Sequence, residues 1–87
     1  PSFNVTLGVI PSYSSQKVGL EIDGISRKNG PADKAGIVKG DIIIEISGKK
    51  VRNIYDYMAR LAELNSGEII KVKIIRNKIE MELTMDL

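Results

Sequence analysis

The side chains that most often carry enzyme chemistry are missing from this 87-residue sequence, which contains neither cysteine nor histidine. Without cysteine there are no thiolate nucleophiles, disulfides or thiolate metal sites. Histidine is the side chain that most readily exchanges protons near neutral pH, so Ser-His and Cys-His catalysis are excluded too. A Ser-Lys dyad is conceivable, but the sequence has no nucleophile turn, metal-ligand cluster or paired carboxylates. We therefore predict that this chain is not an enzyme and needs no cofactor or metal.

Composition and charge are those of one ordinary globular domain. Hydrophobic residues make up 43% and charged residues 28%, and no apolar run approaches the roughly 18 residues of a membrane-spanning helix. The net charge of +2 comes from 13 basic and 11 acidic residues that are interspersed, and aromatic residues are 5%. These features argue against nucleic-acid binding and membrane insertion. Because the sequence begins abruptly at Pro1, we expect 1–87 to be a single domain excised from a larger multidomain protein.

Alternating apolar and polar residues predict a series of short strands. The most regular alternation covers 79–87, and Asn77-Lys78 before it has the composition of a hairpin turn. The β-branched run Ile42–Ile46 indicates a buried strand. The predicted strands are 5–10, 18–26, 42–46, 69–76 and 79–87.

Two helices interrupt these strands. Pro31 suits the first position of a short helix over 31–35, and Gly36 suits the left-handed residue that ends it. A longer helix is predicted over 54–64, with Asn53 as its N-cap. We expect its apolar face to contain Ile54, Met58, Leu61 and Ala62.

The segment Gly30–Ile43, GPADKAGIVKGDII, resembles the most recognisable part of PDZ domains. The similarity covers nearly the whole chain, and the element order is similar to the bacterial, circularly permuted type, in which the C-terminal strand takes the place of the usual first strand. The resemblance implies an α+β, mainly β fold. This fold is a partly open barrel or sandwich of five to six strands, capped by one short and one longer helix.

Domains of this permuted type accompany bacterial envelope proteases. The segments LGVIP at 7–11 and IYDYM at 54–58 look closest to PDZ domains attached to zinc aminopeptidases of the M28 type. The resemblance therefore implies a periplasmic, envelope or secreted parent protein with a peptidase domain on the same chain.

PDZ domains bind the C-terminus of a peptide or protein as an added strand. Matched residue by residue, the resemblance implies a carboxylate loop at 6–9, with the N–H groups of Leu7, Gly8 and Val9 as donors. Ile54 would contact the third residue from the peptide's end and favour an apolar one, because PDZ domains that prefer Ser or Thr there carry histidine at this position. The last side chain would lie among Leu7, Val9, Met58 and Leu61. The full set of implied binding residues is Thr6, Leu7, Gly8, Val9, Ile10, Pro11, Ile54, Met58 and Leu61.

Two features leave an alternative open. No Arg or Lys occurs at 3–6, where many PDZ domains carry a basic residue near the carboxylate. Pro11 lacks an N–H, so one hydrogen bond to an added strand cannot form. In the alternative reading the chain is a docking domain, in which Pro11 closes the edge and the groove packs against another domain of the parent.

Overall fold

A computed structural model describes residues 5–14 and 17–87, and these residues form six strands and two helices. The predicted order of elements is confirmed, with one additional two-residue strand. The strands are β1 (Val9–Pro11), β2 (Leu20–Ile25), β3 (Ile42–Ile46), β4 (Lys49–Lys50), β5 (Ile69–Arg76) and β6 (Ile79–Asp86), and the helices are α1 (Pro31–Ala35) and α2 (Ile54–Ala62).

The strands form an antiparallel sheet in the order β1-β2-β3-β5-β6, with β4 paired to β3. Asn77 and Lys78 have φ angles of 52° and 67°, as a two-residue hairpin turn with positive φ requires, and they join β5 to β6. Strands β1 and β6 lie at the two ends of the order. The predicted PDZ-like, mainly β fold class is confirmed.

The core collects the inward-facing residues of the sheet and one side of α2. Along β5 the side chains of Ile70, Val72 and Ile74 are buried, as the alternation predicts, and Met85 of β6 is fully buried opposite them. Burial of aliphatic side chains of this size is the main stabilising term in a domain of this length. The remaining core residues are Leu7, Leu20, Ile22, Ala32, Ile37, Ile43, Ile46, Val51, Tyr57, Leu61 and Leu64.

Helix α1 ends as its sequence predicts. Gly36 adopts φ 92°, its N–H donates to the carbonyl of Asp33 at 3.1 Å, and the N–H of Ile37 donates to the carbonyl of Ala32 at 3.0 Å. These two bonds are those of a Schellman motif, in which glycine takes the left-handed position without a Cβ clash. The side chain of Ile37 is buried just beyond the helix end.

Asp41 is a buried charge at the turn between α1 and β3. Its carboxylate accepts hydrogen bonds from Arg76 Nε at 2.8 Å, from Arg76 Nη2 at 2.7 Å and from the N–H of Val38 at 3.0 Å. Arg76 Nη2 also donates to the carbonyl of Gly36 at 2.8 Å. Burial alone would raise the pKa of Asp41, but the hydrogen bonds from Arg76 and Val38 and the charge of Arg76 together lower it.

Two sequence predictions are wrong in their extent. The strand predicted over 5–10 begins only at Val9, because Gly8 has φ 80° and interrupts the extended backbone. The helix predicted over 54–64 ends at Ala62, where the N–H of Glu63 donates to the carbonyl of Arg60 and the N–H of Leu64 donates to the carbonyl of Leu61.

The buried face of α2 also differs from the prediction. Tyr57 and Leu61 are the buried helix residues, whereas Ala62 is exposed and Met58 is 44% exposed. Because Leu64 joins the same side after the helix end, the apolar stripe is rotated toward Tyr57. The aromatic ring buries far more area than the methyl group of Ala62, and this difference decides which side faces the core.

We predict that Arg76→Ala lowers the free energy of unfolding by about 3 kcal/mol, the low end of the range for breaking a buried ion pair. The low end applies because the Arg76 side chain is 30% exposed, although that of Asp41 is 1% exposed. Urea denaturation monitored by circular dichroism measures the change. Lys73→Ala is the control, because Lys73 lies on the same strand as Arg76 and forms a partly exposed ion pair with Glu45 of β3. This variant should cost less than about 1 kcal/mol.

Acid titration of the same variants tests the mechanism. Because the folded pKa of Asp41 lies below its unfolded value, the pair stabilises the protein above about pH 4, and this stabilisation is lost as the pH falls further. The Arg76→Ala protein should therefore lose part of the wild-type dependence of stability on pH in this range. Equal acid dependence in both proteins would contradict the assignment.

Candidate functional site

Both ends of helix α2 lie near segments that flank strand β1. At the start of α2, the carbonyl of Arg52 accepts a hydrogen bond at 2.9 Å from the N–H of Gly19, which precedes β2. At its other end, Leu61 lines the same cavity as Thr6, which precedes β1. The helix therefore begins near the chain that leads from β1 to β2, and its last turn borders the same cavity as the chain that enters β1. The groove implied by the family resemblance would lie between β1 and α2.

The loop that enters β1 is held from behind by two backbone hydrogen bonds. The carbonyl of Leu7 accepts from the N–H of Ala32 at 2.9 Å, and the carbonyl of Gly8 accepts from the N–H of Ser26 at 2.9 Å. Thr6 Oγ1 accepts from the N–H of Gly8 at a long 3.3 Å, and the N–H of Leu7 has no partner among the described residues. The carbonyls are thus occupied on the side of β2 and α1, and amide donors remain for another partner.

The register of β1 shows which backbone groups of Val9 are free. Val9 lies opposite Ile25, and the flanking bond runs from the N–H of Ser26 to the carbonyl of Gly8. This pattern identifies Val9–Ile25 as a non-hydrogen-bonded pair, whose own N–H and C=O groups point away from each other. The N–H and C=O of Val9 therefore point away from β2, to the open side of an edge strand.

Pro11 occupies the next outward position on β1. The N–H of Ser12 donates inward to the carbonyl of Glu21 at 2.8 Å, so by alternation the nitrogen of Pro11 lies on the same outward side as Val9. The bulge between Ile10 and Pro11 inserts its additional residue into β2 and leaves the alternation of β1 unchanged. Proline at this point costs the β1–β2 ladder nothing and removes one outward donor.

The side chains assigned to the groove fall into two groups. Ile54 and Val9 are half-buried against the core, and Met58 is 44% exposed on the outer side of α2, as groove-lining residues would be. Leu61 is 8% exposed and borders both the core and the cavity. Leu7 differs from the prediction, because its side chain is fully buried in the core and leaves only its backbone toward the groove.

Two tyrosines at the far end of the groove were absent from the predicted site. Burial raises the pKa of Tyr57 on α2, and Tyr13, which follows β1, raises it further by proximity. Tyr13 itself is 81% exposed. The spacing of Tyr57 three residues after Ile54 was the available signal in the sequence.

A cavity of about 720 Å³ adjoins the loop that enters β1. Its polar lining includes two basic residues that sequence reasoning missed. Arg27 lies in the connection between β2 and α1, and Lys34 lies in α1. The rest of the lining is Val5, Thr6, Asn29, Gly30, Pro31, Leu61, Ser66, Asp86 and Leu87. Of the segment 3–6, in which a basic residue was sought, Phe3 and Asn4 lie outside the described residues.

Within 5–14 and 17–87, no three acidic side chains are close enough together to hold a metal ion. In the same residues neither helix is long and apolar enough to cross a membrane.

Comparison with known proteins identifies the fold. A family model described as PDZ domain matches residues 25–76, more than half of the chain. A probable periplasmic serine endoprotease, DegP-like, from Rickettsia conorii is 41% identical over 61 residues, which is 70% of this chain and 12% of that protein. The chain therefore spans about one eighth of the length of this relative.

Two solved structures superpose on nearly the whole chain. The HtrA-type protease AlgW with decapeptide has a TM-score of 0.83 at 23% identity and covers 97% of this chain and 29% of its own. An aminopeptidase N family protein from Idiomarina loihiensis has a TM-score of 0.82 at 23% identity, covering 97% of this chain and 14% of its own. At this identity both likenesses show the fold alone. The expected tie to M28 zinc aminopeptidases is not supported, because the relative identified by sequence is a serine endoprotease.

We predict that Gly8→Ala lowers the free energy of unfolding by at least about 1–2 kcal/mol, the cost of a left-handed residue with a side chain. Gly8 has φ 80°, and a Cβ there would lie 2.8 Å from Arg27 Cβ, so a steric clash adds to the backbone strain. Thermal and urea denaturation measure the loss.

Gly24→Ala is the matched control on the opposite strand. A Cβ at Gly24 would meet only Ile10 Cδ1, at an ordinary 3.6 Å, so this variant should be as stable as the wild type within about 0.5 kcal/mol. Equal destabilisation by the two substitutions would contradict a special role for the loop.

Proposed function

The chain belongs to the PDZ domain family, and on that premise we propose that it is the peptide-binding module of a bacterial envelope serine endoprotease. As a PDZ domain it is a binding module and not itself a catalyst. Its ligand would be the C-terminus of a peptide or protein, held as an added strand along β1. The observation that carries this proposal is the outward N–H and C=O of Val9 on an edge strand.

The names of the relatives support the choice of parent enzyme. The Rickettsia relative is named as a periplasmic serine endoprotease, and an HtrA-type protease with the same fold was solved with a decapeptide. We therefore assign the chain to a parent of this class, with a serine protease domain elsewhere on the chain and a periplasmic or envelope location. This assignment replaces the aminopeptidase expected from the sequence.

In the proposed site, backbone groups would supply affinity and side chains would supply selectivity. Backbone donors at 7–9 would bind the terminal carboxylate, because several converging N–H groups form a concave anion site. The partly exposed Met58 and the half-buried Ile54 would contact ligand side chains. Methionine is flexible, so we expect tolerance among apolar ligand residues and not a strict preference.

One observation favours the second candidate function, a docking domain. Pro11 places a residue without an N–H at the outward side of β1, and proline on an edge is one way in which proteins prevent unwanted strand pairing. In that case the groove would be covered by another domain of the parent and not by a peptide terminus. Binding measurements on the 87-residue chain separate the two functions.

We predict that the chain binds fluorescein-labelled decapeptides that end in a free carboxylate and an apolar residue. The C-terminal amides of the same peptides should bind about tenfold more weakly, because charge-assisted hydrogen bonds to the loop amides are lost. Fluorescence polarisation with peptides ending in Leu, Phe, Ser or Asp measures both preferences. If no free-carboxylate peptide binds in the low-millimolar range or better, the docking function becomes the better reading.

We predict that Pro11→Ala tightens decapeptide binding by up to about tenfold. The substitution restores one outward N–H, and a net hydrogen bond contributes about 0.5–1.5 kcal/mol. Isothermal titration of the folded variant with the decapeptide ending in Leu measures the gain.

Ser12→Ala is the control for this variant, because the N–H of Ser12 already donates to Glu21 and is unchanged by the substitution. Its affinity should equal that of the wild type. Unchanged or weaker binding by a well-folded Pro11→Ala protein would show that no ligand backbone pairs at this position.

A further inference from the structure

We propose that the outer edge of β6 is a strand-addition site separate from the groove, and that its partner is an extended peptide segment with basic side chains at alternating positions. Strand β6 lies at the opposite end of the strand order from β1. The site therefore goes beyond the proposed function and does not depend on it.

The pairing of β5 with β6 decides which backbone groups of β6 point outward. Because a two-residue turn joins the strands, the pair Arg76–Ile79 beside the turn exchanges both of its hydrogen bonds. Hydrogen-bonded and non-hydrogen-bonded pairs then alternate along an uninterrupted register. The bond at 2.8 Å from the N–H of Leu87 to the carbonyl of Glu68 continues the same alternation. The even-numbered residues of β6 therefore direct their N–H and C=O groups away from β5.

The residues with outward backbone groups are also the exposed residues of the strand. The side chains of Glu80, Glu82, Thr84 and Asp86 are exposed, whereas that of Met85 is buried. Helix α1 packs against β6, yet no backbone group of the described residues outside β5 bonds to these four residues. Strand β6 has no proline and no bulge in its pairing with β5. It therefore offers an added chain a longer ladder than β1 does.

The charges along this edge select a basic partner. Lys73 lies opposite Glu82 but forms its ion pair with Glu45 of β3, at 3.8 Å. Among the described residues neither Glu80 nor Glu82 has an ion-pair partner. A residue of an added strand that exchanges both bonds with one of these glutamates lies opposite it on the same face, with the Cβ atoms about 4.5–5.5 Å apart. Lys or Arg at alternating positions therefore places one cation against each glutamate.

The same charges argue against a second copy of this chain as the partner. If two β6 strands pair antiparallel over 80–86, Glu80 of each copy lies opposite Asp86 of the other. Like charges that are directly opposite destabilise a strand pair. The acidic side chains thus protect the edge from self-association and leave it open to a basic segment.

The probe is a short peptide in which Lys and Thr alternate. It is acetylated and amidated, so it has no terminal carboxylate for the loop that enters β1. We expect weak binding to the 87-residue chain, with the largest changes in an amide NMR titration at Glu80, Glu82 and Thr84 and no change at Val9. The same peptide with Glu in place of Lys should not bind, because its charges would repel the edge.

Two N-methylated forms of the probe test backbone pairing. Methylation of every Lys nitrogen removes the N–H groups that would face β6, and methylation of every Thr nitrogen removes those on the far side. The first form should lose binding and the second should keep it. Equal binding of the two forms would contradict strand addition.

The double variant Glu80→Gln/Glu82→Gln tests the charges and leaves the backbone unchanged. It should weaken binding of the Lys peptide by about fivefold, as expected for two exposed ion pairs. The matched control, Asp23→Asn/Glu63→Gln, makes the same change in net charge at exposed residues of β2 and of the end of α2. It should bind as the wild type does, and equal weakening by the two variants would overturn the assignment.

The outcomes for β6 and for the groove can be told apart. If the Lys peptide shifts Val9 and the residues of α2 and leaves β6 unchanged, the β6 site is wrong. If this peptide shifts nothing at concentrations at which the free-carboxylate decapeptide binds, the β6 site is wrong and the proposed function is retained. If it binds at β6 and no free-carboxylate peptide binds, the β6 site is supported and the proposed function is wrong.

Discussion

The ion pair between Asp41 and Arg76 is the contact on which the candidate site depends, although neither residue belongs to that site. It joins the end of β5 to the turn that follows α1, and Arg76 also donates to the carbonyl of Gly36. Helix α1 is therefore held at its C-terminal end. Ala32 in that helix in turn donates to the carbonyl of Leu7 and holds the loop that enters β1. The charge pair and the loop that enters β1 are thus connected through one short helix.

The groove uses groups that the fold leaves unsatisfied. Edge strands expose N–H and C=O groups that can pair with another chain, and this exposure is both a means of binding and a risk of aggregation. Here β1 has only three residues, and one of them is proline. The outward face of Val9 remains available, and Pro11 limits how far an added strand can extend. Pro11 therefore reduces unwanted pairing, and it would restrict the useful length of a ligand that binds as proposed.

The elements that could be predicted from the sequence are those with local causes. The helix 31–35 with its Gly36 cap, the Asn53 N-cap, the hairpin at Asn77-Lys78 and the alternation of β5 each follow from a few adjacent residues. These signals are turn chemistry, capping and a two-residue period, and none requires knowledge of the tertiary structure.

The features that escaped prediction depend on contacts between distant segments. Helix α2 turns Tyr57 toward the core because the sheet and Leu64 leave room for that side chain there. Leu7 is buried because its loop is bonded to α1. The sequence places Arg27 in a turn, but its position behind Gly8 depends on how β2 and α1 pack. The loop residues 6–9 were identified through family resemblance, but the packing of Arg27 against Gly8 could be seen only in three dimensions.

The short strand β1 also limits the binding free energy that strand pairing could supply. Three residues of strand span only about 10 Å and offer few ladder bonds, and Pro11 removes one of them. The other terminal strand, β6, has eight residues, but α1 packs against it and its side chains include Glu80, Glu82 and Asp86. Strand pairing alone is therefore a weak source of affinity at either edge. In the proposed binding mode most of the affinity would arise where the ligand ends, from the loop amides, and for that reason a free carboxylate should matter more than the length of the peptide.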